Sequence, residues 1–414
     1  MADLPVYLSA PGLVCCAGKD REGFFRSALA GDQSGVVPVT LPGQAGDLRL
    51  FLGRIPGEWI PRTVPADVQR ESAYAEDIRI LRVCAAALEQ IRAEVERAVE
   101  RYGAGRVGVC VGSCDNGSEW SLGAHRTYLA EGRFPPSYKL AFQSAAYPAG
   151  YVSRYFGLKG PSLGVATACA SSAGAVVKAA GLIRAGLCNA VVAGGVDIVS
   201  EAALRGFVSL EAVSGDVCNP FSRNRKGITL GEGAAFFLLS PEEGTGIEIL
   251  GAGESADAHH MTAPKPDGTG AVRAMEDALD SAGLTAGDVG YVNLHGTGTS
   301  LNDRMEAQAT TAVFGAGGPP VSSTKPVTGH TLGAAGALEL ALCWMTAASA
   351  GEAAAVPAPV HCWDGEYDAD LPRLRFAGKG ETFPAKRLRI CMSNSFAFGG
   401  CNVSLIIGKR TKKG

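Results

Sequence analysis

Several features are scarce in this chain of 414 residues, and each scarcity excludes a class of protein. The net charge is only −3, so the sequence offers no bulk electrostatic attraction for nucleic acid. No apolar run reaches the roughly 18 residues that a membrane span requires, and Asp3 stands where an export signal would carry a basic residue. We therefore expect a cytoplasmic protein without nucleic-acid or membrane partners, whose twelve cysteines stay reduced.

Metal-ligand spacings are absent as well. No two cysteines form a CxxC pair, and none of the six histidines belongs to an HxxxH pattern. His259 and His260 are adjacent, so on any regular element their side chains point in opposite directions. We expect neither a catalytic metal nor a redox cofactor.

Apolar residues and glycine, in contrast, are plentiful. Apolar residues make up 46% of the chain, which is long enough to bury a large core in two or three domains. The 55 glycines lie among Val, Ile and Ala, so they indicate tight turns and close packing rather than disorder. Strand-like runs that end in small residues recur at 106–113, 189–197 and 290–299, and 76–101 has the pattern of one long amphipathic helix. This alternation predicts an α/β protein with its chemistry at strand ends.

A faint internal repeat divides the chain. Residues 167–186 resemble 328–351: each segment has a reactive-type residue, Cys169 or His330, followed by small residues and an alanine-rich helix. We infer two related halves, 1–245 with the cysteine and 246–414 with two candidate histidines.

The candidate chemistry begins with Cys169 in "TACASS" (167–172), at a predicted helix start. Free backbone N–H groups and the helix dipole there would lower the pKa of the thiol. The alternative is a small buried core residue, as we expect of most other cysteines. His295 follows the apolar "YVNL" and His330 lies in "TKPVTGHTLGAAG", each surrounded by glycine and threonine. A cysteine nucleophile with two imidazoles fits thioester chemistry.

These motifs resemble the β-ketoacyl-acyl-carrier-protein synthases of the KAS I/II type, in the thiolase superfamily. The resemblance covers nearly the whole chain and depends on "TACASS", "LHGTGTSLNDRMEAQA" (294–309), "SSTKPVTGHTLGAAGALE" (322–339) and "NSFAFGGCN" (394–402) in this order. It implies a thiolase-like α/β fold, in which two related βαβαβαββ halves form five αβαβα layers. It also implies a dimer, either a homodimer or a heterodimer with a chain-length factor.

The resemblance further implies a decarboxylative Claisen condensation. Cys169 would accept an acyl chain from an acyl carrier protein, while His295 and His330 would promote decarboxylation of the malonyl carrier and stabilise the enolate. The chain would grow by two carbons, and the only prosthetic group would be the phosphopantetheine arm of the carrier.

Supporting roles are implied for residues around these three. Backbone N–H groups of Cys169 and Phe398 would bind the thioester oxygen, with Phe398 in the gating loop. Lys325 and Glu339 would form a buried pair near His330. Asp303 and Glu306 would anchor the His295 loop. Thr297 and Thr299 would contact the phosphopantetheine arm.

The chain departs from the family pattern in the gating loop and within residues 206–227. Ala397 replaces a glycine, which predicts a stiffer loop, and Cys401 replaces a threonine and is interpreted as a packing residue. Glu211 stands where fatty-acid synthases often place a carrier-binding arginine. Ser222 and Lys226 stand where elongating synthases commonly carry aspartates.

A second departure concerns the acyl pocket. Asp115 and Asn116 lie in a loop that is apolar in many relatives, either as a surface turn or as a pocket entrance for a conjugated or polar acyl chain. Residues 206–232 resemble the ketosynthases of aryl-polyene pathways, so polyene or polyketide extension stands beside fatty-acid elongation.

Two other classes of protein stay open. One is a silent partner subunit like a chain-length factor, which the three catalytic-type residues disfavour. The other is a thiolase acting on acyl-CoA, which Lys325 disfavours.

Overall fold

The computed structural model describes residues 4–42, 46–64, 78–115, 117–351 and 354–410. Within these ranges the strands are β1 Tyr7–Leu8, β2 Gly12–Cys15, β3 Val36–Leu41, β4 Leu48–Gly53, β5 Val107–Gly112, β6 Ser162–Val165, β7 Ala190–Asp197, β8 Leu230–Gly231, β9 Gly233–Ser240, β10 Glu248–Ala256, β11 Tyr291–Asn293, β12 Val321–Ser322, β13 Ala355–Pro357, β14 Thr382–Pro384, β15 Ile390–Phe396 and β16 Cys401–Gly408. The α-helices there are α1 Arg21–Ala30, α2 Arg79–Leu88, α3 Arg92–Tyr102, α4 Ser118–Glu131, α5 Tyr147–Tyr155, α6 Ser171–Arg184, α7 Glu201–Ser209, α8 Thr269–Ala282, α9 Ser300–Phe314, α10 Lys325–Thr328 and α11 Ala335–Ser349.

Eleven of these strands form one mixed sheet, in the order β12-β11-β15-β16-β10-β1-β9-β7-β5-β6, with β2 also paired to β9. In the first half β6, β5 and β7 are parallel and β9 runs antiparallel to β7. In the second half β12, β11 and β15 are parallel and β16 runs antiparallel to β15. The two halves therefore repeat one strand pattern, and β1 joins them through β9 and β10.

Helices separate and cover the two halves of this sheet. The helices α6 and α11 pack against each other and contact strands of both halves, so they form the central layer. The outer faces are covered by α2 and α5 on the first half and by α8, against which α9 packs, on the second. The central contact is close, because a Cβ on Gly336 would lie 2.8 Å from the Cβ of Ala173. The predicted thiolase-like fold, with its two related halves, is confirmed.

The central layer also corrects one expectation. The segment Leu332–Ser349 is long and apolar enough to cross a membrane by composition, although no such run was expected from the sequence. It is 89% buried inside the protein. A helix that touches core on every side is apolar all round without any membrane.

The strand predictions at 106–113 and 189–197 correspond to β5 and β7, both completely buried. At 290–299 only Tyr291–Asn293 is strand, because the chain then turns through the glycine-rich loop. The single helix predicted over 76–101 was wrong. Its first two residues lie outside the described ranges, and α2 and α3 are separated by a 3₁₀ turn at Glu89–Ile91, where Ile91 leaves the helical conformation. The division at 245/246 stays a prediction.

Candidate active site

Cys169 lies in a tight 3₁₀ turn, Ala168–Ala170, between the end of β6 and the start of α6. Ala168 has a φ of 48°, a strained value for a residue with a side chain. The Ser171 hydroxyl stabilises the turn, because it accepts from the Thr167 N–H at 2.9 Å and donates to the Ala168 carbonyl at 2.6 Å. The thiol is consequently held in one position, with Cys169 only 7% exposed.

The two candidate histidines lie beside this thiol. Nε2 of His330 is 3.0 Å from Sγ of Cys169, and the rings of His295 and His330 are 5.3 Å apart, nearly perpendicular. One ligand-type atom from each of the three residues lies within 4.8 Å of the others. A thiol and two imidazoles are donors that Zn²⁺ also accepts, so the expectation of no catalytic metal stays a prediction.

Hydrogen bonds fix which ring nitrogen carries the proton. The Leu332 N–H donates to Nδ1 of His330 at 3.3 Å, and Nζ of Lys325 lies 3.4 Å from Nδ1 of His295. Each Nδ1 therefore acts as an acceptor, and the proton of each neutral ring is on Nε2. Burial, followed by the charge of Lys325, holds the pKa of both imidazoles well below the usual value. The site thus contains two neutral rings with an N–H donor each.

The thiol itself differs from the sequence prediction. Burial raises the pKa of Cys169 to about 11, although the charge of Lys325 and the backbone N–H of Phe398 lower it. The predicted net lowering was wrong, because desolvation of the thiolate outweighs the favourable charges around it. Cys169 is a protonated thiol at neutral pH.

Lys325 and Glu339 form a buried ion pair, with Nζ 2.5 Å from Oε1 and side-chain exposures of 1% and 5%. Nζ also donates to the backbone carbonyl of His295. The pair was predicted near His330, and the charge of Lys325 does lower the pKa of that ring, but the direct contacts of Nζ are to His295. Lys325 begins α10 directly next to the carbonyl of His295, so its ammonium supports His295. A pair this deeply buried orients its neighbours more than it stabilises the fold.

Two further carboxylates hold the backbone of the His295 loop. Glu306 accepts from the N–H groups of His295 and Gly296, both at 2.7 Å. Asp303 accepts from Phe221 N at 2.7 Å and from Gly298 N at 3.2 Å. Burial raises the pKa of Asp303 to about 6 and of Glu306 to about 8, although the backbone donors lower both.

Two cavities meet at Cys169. A channel of about 430 Å³ is lined by Cys169, both histidines, Thr297 and Thr299, whose hydroxyl oxygens are 3.0 Å apart. A second cavity of about 670 Å³ is also lined by Cys169. Phe398 lines both cavities, and its ring lies 5.9 Å from that of Phe207. The predicted gate residue therefore stands at the junction of the two spaces.

The unusual residues of the gating loop fit its backbone conformation and its packing. Ala397 is extended, with φ −107°, while Gly399 and Gly400 have positive φ values. Ala397 therefore causes no backbone strain in this conformation, and the predicted stiffness has no support here. Cys401 packs against the apolar core, so its interpretation as a packing residue is confirmed.

Asp115 is not part of an exposed turn. It is 6% exposed, lines the second cavity, and accepts a hydrogen bond from the Ser118 hydroxyl. Its Oδ2 has no hydrogen-bond partner among the described residues, and burial raises the pKa of this carboxyl. Asn116 lies outside the described residues.

The three polar substitutions outside the gating loop lie in different surroundings: Glu211 and Lys226 line the channel, and Ser222 is buried. Glu211 is exposed, lines the channel, and has a φ of 54°. Ser222 donates to Asp364 at 2.8 Å, and Lys226 lies 3.1 Å from Asp216.

One buried carboxylate was missed by the sequence analysis. Asp197, at the end of β7, accepts from Ser113 Oγ and from the N–H groups of Cys114, Asp115 and Gly333. It thereby connects the end of β5 to the segment after His330. A lone carboxylate closing a wholly apolar strand, as in "NAVVAGGVD", was the signal that could have found it.

The fold is thiolase-like and duplicated, and its site combines a cysteine in a strained turn with two neutral imidazoles and two cavities. Together these features define an acyl-transferring condensing enzyme. The family profiles for "Beta-ketoacyl synthase, N-terminal domain" and "Beta-ketoacyl synthase, C-terminal domain" match residues 75–244 and 247–353. The chain belongs to the β-ketoacyl synthase family. It is a KAS II-like transferase of the 3-oxoacyl-[acyl-carrier-protein] synthase type, with condensing activity.

Similar proteins are related over their full length. Nodulation protein E of Rhizobium sp. (strain N33) is 34% identical over 97% of this chain and 98% of that protein. The 3-oxoacyl-[acyl-carrier-protein] synthase 2 of Staphylococcus aureus (strain MRSA252) is 30% identical over 98% and 99%. Among solved structures, the ketosynthase ApeO of Xenorhabdus doucetiae, in complex with its chain length factor ApeC, has a TM-score of 0.86 and 36% identity over 98% of both chains.

Proposed function

We propose that this enzyme extends an acyl chain on Cys169 by decarboxylative condensation with malonyl carrier protein. The observation that carries the proposal is the pair of neutral imidazoles beside the thiol: Nε2 of His330 lies 3.0 Å from Sγ, and the ring of His295 lies 5.3 Å from that of His330. Two such donors stabilise an oxyanion without protonating it, which is what a malonyl-derived enolate requires.

The first half-reaction loads the enzyme. Sγ of Cys169 attacks the thioester carbonyl of the acyl carrier, the bond to the phosphopantetheine sulfur breaks, and the thiol proton leaves with that sulfur. Backbone N–H groups of Cys169 and Phe398 would hold the carbonyl oxygen. The proton must move because the thiol is protonated at neutral pH, with a pKa near 11.

The second half-reaction forms the new carbon–carbon bond. The malonyl carboxylate leaves as CO₂, and its bonding electrons become an enolate whose oxygen accepts from His295 and His330. The enolate carbon attacks the acyl carbonyl on Cys169. The thiolate leaves, takes a proton from water, and the carrier departs with a β-ketoacyl chain two carbons longer. Thr297 and Thr299 would bind the phosphopantetheine arm in the channel.

For the acyl chain we propose a polyene or polyketide intermediate rather than a simple fatty acyl group. Support comes from the likeness to ApeO, a ketosynthase in complex with its chain length factor, from the resemblance of residues 206–232 to aryl-polyene ketosynthases, and from the carboxyl of Asp115 in the second cavity. Glu211 at the channel mouth would weaken docking of a carrier that relies on an arginine there. Fatty-acid elongation is the alternative.

For the partners we propose an acyl carrier protein and a second subunit of the same fold. Strand β6 is the edge of the sheet, its first residues are exposed, and Leu163 on it is 40% exposed. Such an edge is satisfied by pairing with another chain. That chain would be a second copy or, as for ApeO, a chain length factor. A cytoplasmic location remains part of the proposal.

Intact-protein mass after incubation with a panel of acyl carrier proteins tests the loading step, with and without malonyl carrier. We expect an acyl adduct that Cys169→Ala abolishes and that malonyl carrier converts into a longer product. The preferred chain distinguishes polyene extension from fatty-acid elongation. Absence of any adduct, even with a chain-length factor added, would contradict the proposal, whereas an adduct that condenses without malonyl donor would indicate a thiolase.

A further inference from the structure

His361 is a buried histidine outside the three residues that surround the substrate. It is 3% exposed, and its ring stacks on Phe376 with centroids 4.0 Å apart and planes within 11°. Burial lowers its pKa to about 3, so the ring is neutral throughout the pH range in which the enzyme works. One ring nitrogen is therefore a permanent donor and the other a permanent acceptor.

These two nitrogens connect separate segments of the chain. Nδ1 accepts from the Ser323 N–H at 3.1 Å, and Nε2–H donates to the Pro220 carbonyl at 3.2 Å. Residues in both segments make further contacts that hold the His295 loop in place.

The Ser323 segment reaches His295 by two routes. The Ser323 hydroxyl donates to the carbonyl of Gly296 at 2.7 Å, and a Cβ at Gly296 would lie only 2.5 Å from the Cβ of Ser323. Two residues further on, Nζ of Lys325 lies 3.4 Å from Nδ1 of His295. A displaced Ser323 would consequently move the backbone next to His295 and the ammonium that fixes its proton on Nε2.

The Pro220 segment reaches the same loop from the other side. The N–H of Phe221, the next residue, donates to Oδ2 of Asp303 at 2.7 Å, and Oδ1 of Asp303 accepts from Gly298 N at 3.2 Å. Both hydrogen bonds of His361 are thus one or two contacts away from the loop 295–299.

Cys169 and His330 are held by different contacts. The backbone N–H of His330 donates to the Thr229 carbonyl at 2.6 Å, and the turn at Cys169 is stabilised by Ser171. Loss of the His361 hydrogen bonds would therefore displace His295, whereas Cys169 and His330 would keep their positions.

We propose that His361 is a positioning residue that holds His295 and Lys325 in place for the decarboxylation step, an inference that rests on the proposed function. It touches neither the substrate nor the thiol. Its removal separates the two half-reactions: decarboxylation slows and acyl transfer to Cys169 continues. A residue that only stabilised the fold would slow both.

Three substitutions at His361 test the contributions of its two hydrogen bonds separately. His361→Phe keeps a ring against Phe376 and loses both bonds. His361→Asn provides an acceptor near the position of Nδ1, and His361→Gln provides a donor near the position of Nε2. Trp363→Phe is the matched control, because the Trp363 ring lies 4.9 Å from that of Phe376 in the same aromatic cluster.

The assay uses malonyl and acyl thioesters of N-acetylcysteamine, which avoid any dependence on the cognate carrier. CO₂ release measures decarboxylation, and intact mass measures acyl transfer to Cys169. We expect His361→Phe to slow decarboxylation about tenfold or more, since small misplacements of a reacting group cost up to about a hundredfold. Acyl transfer and the Trp363→Phe variant should match the wild type. His361→Asn should retain more decarboxylation than His361→Gln, because the Ser323 segment leads directly to Lys325.

The inference would be overturned by equal loss of both half-reactions in His361→Phe, whatever its melting temperature, or by no loss of decarboxylation in that variant. A wild-type enzyme that stays inactive toward both probes, even with a chain-length factor added, would instead contradict the proposed function. The crystal structure of His361→Phe then still tests the positioning role without turnover. We expect Lys325 Nζ to move away from His295 Nδ1, and an unchanged contact would refute the role.

Discussion

Replacing Lys325 by methionine tests whether the ammonium fixes the tautomer of His295. The side chains have similar length, so the change removes the charge and the donor with little change in volume. Nδ1 of His295 then loses its donor, and the ring is free to carry its proton on Nδ1 instead of Nε2. One of the two donors to the enolate is lost, and removal of a single oxyanion donor costs about 10²–10³ in rate.

The same substitution leaves Glu339 buried without its cation. Breaking a buried pair by removing one partner costs about 3–5 kcal/mol of folding free energy. The pKa of Glu339 is already raised by burial, and without Lys325 it rises further, so this carboxyl takes up a proton. Chemical denaturation at several pH values measures the cost, which should be smaller at low pH, where Glu339 is protonated in both states.

A double variant separates the two effects. Lys325→Met with Glu339→Leu replaces the pair by apolar groups and should recover most of the stability. Its decarboxylation rate should stay as low as that of Lys325→Met, because the donor to His295 is still missing. Recovery of decarboxylation in the double variant would refute the reasoning, since the loss would then come from the unpaired carboxylate.

Three further predictions concern the thiol, the gating loop and the acyl cavity. Because burial raises the pKa of Cys169 to about 11, its alkylation by iodoacetamide should accelerate about tenfold per pH unit between about pH 7 and 9, measured against Cys169→Ala; a plateau below that range would contradict the raised pKa. Ala397→Gly should leave stability and turnover nearly unchanged, because Ala397 is extended; a marked rise in turnover would indicate that Ala397 restrains the gate. Asp115→Leu should lower the ratio of turnover with a polyenoyl or aryl chain to turnover with a saturated chain of equal length; an unchanged ratio would exclude a role in chain recognition.

The sequence alone was sufficient to identify the candidate catalytic residues that lie within specific motifs. Cys169, His295 and His330 were found because each follows or precedes a strand or helix end in a small-residue context, and the structure brings all three together. The duplicated strand pattern was predictable because the alternation of apolar runs and small-residue turns recurs in both halves.

Properties that depend on distant neighbours were not predictable. The pKa of Cys169 depends on burial by segments far along the chain, and this desolvation reverses the sign expected from the helix start. Lys325 is close to His330 in sequence, yet its ammonium contacts His295. Asp115 resembles a surface turn locally, and only the packing around the second cavity buries it.

Single-turnover condensation with uniformly ¹³C-labelled malonyl carrier tests the central claim most directly. The acyl group is first loaded on Cys169, and the product and the released gas are then analysed by mass. We predict a carrier-bound β-ketoacyl chain that contains two labelled carbons, together with one equivalent of ¹³CO₂, and no extended chain from the Cys169→Ala variant. A product that retains three labelled carbons, or CO₂ release without chain extension from loaded wild-type enzyme, would contradict the account.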